Sequence, residues 1–150
     1  MPKVMAMLLA IPVGLGVNAI DAAETAARAS PIEPGRAIYQ QACASCHGDR
    51  GGGAAQWQEV DANGELPAPP HDSSGHTWKH SDSMLYRLVQ QGWRDPFNKT
   101  RRLTMPAFQG QLSRQETMAV IDYLKTLWTP EQRRFQAEES LQQPFPTQSQ

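Results

Sequence analysis

The chain has 150 residues, with two cysteines, four histidines, 12 prolines and 11 glycines. That length suits one ordinary domain, or one small domain with tails, and argues against two packed domains. With 39% hydrophobic residues, and 14 Lys plus Arg against 15 Asp plus Glu, it is too polar for a membrane bundle. It has neither the basic excess of a nucleic-acid binder nor the acidic run of a solvating tail. So little apolar material implies a core supplemented by something other than side chains.

Residues 1–23 read as an export signal. Lys3 is the only charge before Asp21, and the run from Val4 to Val17 carries none. A basic start, an apolar centre and then small residues are the pattern of a cleaved leader, with Ala19 or Ala22/Ala23 as cleavage points. The run is shorter than the ~20 residues that span a bilayer, and Pro12, Gly14 and Gly16 weaken it as a helix. A retained N-terminal anchor is the alternative, and only then would the protein contact a membrane. The expected location is the periplasm.

A first helix starts near Pro34, which is tolerated in a first turn. It carries Gly35 and Tyr39 on one face, four residues apart. At its end stands Cys43-Ala44-Ser45-Cys46-His47. Two cysteines in an exported chain suggest a disulfide. A histidine directly after the second one changes that reading, because C-x-x-C-H is a covalent haem attachment pattern. On one helical turn both sulfurs lie on one side, able to form thioethers with two vinyl groups, and the imidazole follows beneath the same ring. A thioredoxin-like pair would need a βαβ surround, and a zinc site would need further ligands at metal spacing. Neither is present.

With Gly35, Tyr39, Cys43, Cys46, His47 and Gly48, then Met105-Pro106 and a terminal amphipathic helix, the chain resembles the class I c-type cytochromes over roughly residues 33–128. The stretch Leu66–His80 resembles an exported bacterial monohaem branch. The resemblance implies an all-α fold of short helices and long loops around one covalent haem c, with the domain at residues 31–140. It also implies His47 and Met105 as axial iron ligands and single-electron transfer between redox protein partners, by a monomer that is no enzyme. Pro106 biases Met105 away from helical geometry, which suits a ligand carried on a loop. Met84 and Met118 fall in helical patterns and read as core. An open-site haem enzyme or sensor is the alternative function.

From Gly48 to His80 no regular element is expected, a length explained by chain wrapping a porphyrin. Leu66-Pro67-Ala68-Pro69-Pro70 is a rigid extended stretch. It is expected to bring a backbone carbonyl to the second nitrogen of His47. His71, His76 and His80 fall close together and, with Asp72, could hold copper or zinc and form a docking module. Trp78, Trp93 and Arg94 are candidate propionate donors.

Ser81 or Ser83 caps a helix through Gln91, stopped by Gly92. Met84, Leu85, Leu88 and Val89 form its apolar stripe. Ser113-Arg114-Gln115-Glu116 is a capping box opening a helix with Met118, Val120, Ile121, Leu124, Leu127 and Trp128 on its apolar face. Thr129, Pro130 and Gln132 start one further helix, to about Glu139. Residues 141–150 are polar and proline-bearing and are expected to be disordered.

Overall fold

A computed structural model describes residues 31–62, 64–96 and 102–146. The expected export signal, residues 1–23, lies outside them. In chain order the elements are α1 (Glu33–Ala42), α2 (Ala44–His47), a 3₁₀ turn (Thr77–Lys79), α3 (Asp82–Gln91), α4 (Arg114–Lys125) and α5 (Pro130–Gln142). Among the described residues there is no strand, only two isolated β-bridges, and no helix is long and apolar enough to cross a membrane. The all-α expectation holds.

The caps fall where the local chemistry puts them. Ser81 Oγ accepts from the Met84 amide, and Gly92 ends α3 at φ 74°. Ser113 with Glu116, and Thr129 with Gln132, form reciprocal capping boxes that satisfy otherwise orphaned amides at the starts of α4 and α5.

The core lies where α1 crosses α4. Tyr39, Ala44, Leu85, Val120, Ile121, Tyr123, Leu124 and Trp128 form one buried apolar cluster, with the Tyr39 and Tyr123 rings 5.2 Å apart. The crossing is close because Gly35 has no side chain. A Cβ there would sit 1.9 Å from the Ala119 carbonyl oxygen.

α5 packs by different means. Gln136 is buried, and its amide donates to the His80 carbonyl at 3.3 Å, Asp82 Oδ1 at 2.6 Å and Ser140 Oγ at 3.0 Å. Phe135 meets the Trp78 ring edge-on at 5.5 Å. Lys125 bridges from α4 to Asp82 at 2.8 Å. α5 runs to Gln142, one turn past the expected end. The chain beyond it is also engaged: Ser83 Oγ donates to the Gln143 carbonyl at 2.8 Å. Phe145 packs on Tyr86 at 5.5 Å with the Arg114 guanidinium over it at 4.6 Å. Within the stretch expected to be disordered from residue 141, the described residues make contacts as far as Phe145 through polar and cation–π pairs that carry no helical periodicity; residues 147–150 lie outside the described residues.

Candidate functional site

Cys43 ends α1 and opens α2, so the two cysteines and His47 share one tight turn. The amides of Cys46 and His47 both donate to the Cys43 carbonyl, at 3.1 and 3.0 Å. Cys43 is half-buried and Cys46 exposed, and no disulfide joins them. Burial, with Cys46 adding to it, pushes the Cys43 thiol up to about 11. Tyr39, fully buried, donates its hydroxyl to the Gly48 carbonyl at 2.8 Å and so ties the end of the turn to α1.

His47 is buried, and its Nδ1 lies 2.9 Å from the Pro69 carbonyl oxygen. A carbonyl only accepts, so Nδ1 carries the proton and Nε2 keeps its lone pair. Burial holds the imidazole below its usual value, with the Pro69 carbonyl pulling the other way. The result is a neutral, oriented imidazole with one bare nitrogen, the form in which histidine binds iron.

The proline stretch supplies that carbonyl because it has so few competing donors. Ala68 accepts from the Ala54 amide at 2.9 Å, Pro69 from His47, and Pro70 from the Thr77 hydroxyl at 3.2 Å. The His71 carbonyl accepts from the Trp128 indole at 2.8 Å. Four successive carbonyls are each taken, and the segment is held as one rigid edge.

The three histidines do not converge. His71 stacks on His47, ring centroids 3.9 Å apart and planes at 24°, and its Nδ1 is 2.9 Å from Thr77 Oγ1. His76 lies over Trp57 at 6.0 Å and meets His80 edge-on at 5.4 Å. Among the described residues no group of three His, Cys, Asp or Glu side chains is gathered to hold a metal ion. The turn at Ser73–Gly75 separates residues that the sequence brings together.

Trp78 directs its indole N–H to the Gly75 carbonyl at 3.0 Å, so that donor is engaged within its own turn rather than free for a propionate. Trp93 and Arg94 are exposed. Trp93 lines a groove of about 220 Å³ with Met84, Arg87, Leu88, Gln91 and Gly92. Its backbone pairs with Met105 in both directions, at 3.0 and 2.9 Å. This antiparallel bridge fixes Met105 in extended backbone, as Pro106 implies. Gly92 permits it: a Cβ there would lie 2.6 Å from the Met105 carbonyl oxygen.

One further tie was not legible in advance. Glu65 is buried and receives both Arg102 Nε, at 2.8 Å, and Arg102 Nη2, while Asp61 Oδ1 accepts the Glu65 amide at 3.0 Å. The pair spans 37 residues and joins the loop carrying Pro69 to the loop carrying Met105. A two-pronged guanidinium–carboxylate contact is among the stronger side-chain ties available.

His71 and His80 are both held below the usual histidine value of 6.5, first by burial, then by neighbours that disfavour a second positive charge: the His47 and His76 rings for one, His76 and Lys79 for the other. As pH falls through that value the unfolded chain binds protons that the fold refuses, so stability is full above it and declines below. Each such histidine contributes at most about 1.4 kcal/mol per pH unit. A denaturant midpoint clearly lower at about pH 5 than at about pH 7.5 is expected. Equal midpoints would contradict this account.

No curated protein and no solved structure matches the chain. The family model described as Cytochrome c matches residues 32–128, from the N-cap of α1 through Trp128. With a Cys-x-x-Cys-His turn whose histidine is neutral, buried and aimed, the chain belongs to the cytochrome c family, whose members carry covalently attached haem c.

Proposed function

We propose that the protein is an exported single-electron carrier of the class I type, with thioethers at Cys43 and Cys46 and iron held between His47 and Met105. The observation that carries the reading is the 2.9 Å contact from His47 Nδ1 to the Pro69 carbonyl. It leaves Nε2 bare and makes it more basic. Haem so held supplies a one-electron iron couple. The chain's part is to keep the ligands in place in both oxidation states, so that little reorganisation accompanies transfer.

Support for Met105 comes from its backbone. It is in extended pairing with Trp93, ahead of Pro106, on a loop tied to α3 by the Phe108 amide on the Val89 carbonyl at 3.0 Å. A thioether opposite the histidine raises the potential and fills the sixth position. Export rests on the basic-then-apolar pattern of residues 1–23, and the partners are redox proteins that donate to and accept from one surface.

Met105→Ala tests the assignment. The variant is expected to lose the weak far-red band of ferric thioether ligation and to bind carbon monoxide when reduced. Its potential should drop by a sizeable part of the roughly 0.8 V over which axial ligands tune haem. Unchanged spectra would remove Met105 from the iron. A high-spin spectrum of the unaltered protein would favour the open-site reading instead.

A further inference from the structure

A single hydrogen bond fixes the direction of one imidazole N–H, but not the tilt of the ring about that direction. His47 has such a bond, to Pro69. Its remaining freedom is met by a flat face: the His71 ring, 3.9 Å away and inclined by 24°. That face is itself held. Its Nδ1 is 2.9 Å from Thr77 Oγ1, and the Thr77 hydroxyl reaches the Pro70 carbonyl at 3.2 Å, so the hydroxyl's one hydrogen is engaged and the His71 N–H donates to it. The His71 backbone is pinned at both ends: its amide donates to the Gly51 carbonyl at 2.6 Å, and its carbonyl accepts from Trp128. Tyr39 stands edge-on to the ring at 6.5 Å. Thr77 is buried, so water does not compete at the anchoring hydroxyl.

We propose that His71 is a positioning residue for the iron ligand, setting the plane of the His47 imidazole by stacking while Thr77 sets the plane of His71. The proposal rests on His47 being the axial ligand. An aliphatic residue at position 71 would fill the volume but present no plane. A phenyl ring would present a plane without the anchor. Only a flat ring with an N–H does both.

The consequence is electronic as well as steric. If the His47 ring leaves the stacked plane while its Nε2 stays bound, Nδ1 swings away from the Pro69 carbonyl and that bond weakens. The imidazole then donates less strongly, and the potential rises.

The test uses the haem-loaded protein, with three variants and two readouts that a role in packing alone would not move together. The proton resonances of the haem methyl groups in the ferric state report the orientation of the axial imidazole plane. The reduction potential reports its donor strength. His71→Leu is expected to reorder the methyl shifts and raise the potential. His71→Phe, which keeps the flat face but loses the anchor, should shift the methyl order no further than Thr77→Val does, and less than His71→Leu. Thr77→Val should move both readouts in the same direction as the leucine variant, by less.

Wild-type methyl order and potential in His71→Leu would overturn the proposal. So would a phenylalanine variant displaced as far as the leucine one. If His71→Leu does not fold, Thr77→Val still decides: no shift, or a shift of opposite sign, refutes the anchor and with it the positioning role. A wild-type protein lacking a histidine-ligated low-spin signature would instead remove the reading of His47 itself, which separates the two failures.

Discussion

Cys43→Ser combined with Cys46→Ser is expected to yield a chain without a cooperative thermal transition and with most of its helical signal lost. The reason lies in how little apolar material the chain buries by itself. Among the described residues the buried cluster comprises Tyr39, Ala44, Leu85, Val120, Ile121, Tyr123, Leu124 and Trp128, and three of these carry a polar group on the ring. Against it stands the segment from Gly48 to His80, whose one regular element is a three-residue 3₁₀ turn. Ordering irregular chain opposes folding by about 1–2 kcal/mol per residue. Natural domains retain only about 5–15 kcal/mol in all. Without the covalent haem, this segment would lose the packing surface that a wrapped porphyrin would supply. Circular dichroism against temperature, on the purified double variant, is the measurement. A sharp melt with native helix content would show that the polypeptide folds unaided and that the haem is an addition to a finished core.

Gly35→Ala is expected to be the most damaging single-methyl change in the helical frame. Two effects oppose one another. Alanine is the better helix former, by about 1 kcal/mol. Its methyl, however, would be placed 1.9 Å from the Ala119 carbonyl oxygen and 2.5 Å from the carbonyl carbon. Both are backbone atoms of α4 and cannot swing aside, so α1 and α4 must separate. Overpacking against movable side chains already costs about 1–3 kcal/mol. Displacing a helix lies at the top of that range or above, and the propensity gain does not offset it. A net loss of about 2–3 kcal/mol lowers the melting temperature of a domain this size by roughly 10–20 °C. The same separation would loosen Tyr39, and through its bond to Gly48 the haem-bearing turn. A variant as stable as the parent would mean that the crossing is wider than 1.9 Å implies.

The local features were the legible ones. Three helix starts follow from a hydroxyl at the cap with Glu or Gln three residues on, or from a lone serine, and each is satisfied within four residues of chain. Gly35 and Tyr39 share a face by helical periodicity alone, and that face proved to be the crossing. A carbonyl for His47 could be expected from the proline run, since prolines accept and never donate. Which carbonyl it is depends on the path of the loop over 22 residues, and only the folded chain singles out Pro69.

What could not be read depends on contacts between distant segments. The grouping of His71, His76 and His80 allows a metal cluster on sequence alone, but proximity in sequence is not convergence in space. The intervening turn sends one of them onto His47 and leaves the other two with each other and Trp57. Glu65 and Arg102 meet across 37 residues with no periodic pattern to announce them. The last turn of α5 is not legible in sequence because its hold on the domain runs through Gln136, Ser140 and Gln143 instead of an apolar stripe.

The run Pro67-Ala68-Pro69-Pro70 has a consequence for how motion near His47 can be observed. Three of its four residues have no amide hydrogen, so hydrogen exchange passes over the segment that holds His47. Its opening is reported instead by its neighbours: the Gly53 amide on the His47 carbonyl at 2.8 Å, Ala54 on Ala68, and His71 and Asp72 both on Gly51. These four amides stand outside every helix yet depend on one another's partners. They are expected to exchange together, at a rate set by a single opening of the loop, and their common protection factor measures the free energy that keeps the imidazole aimed.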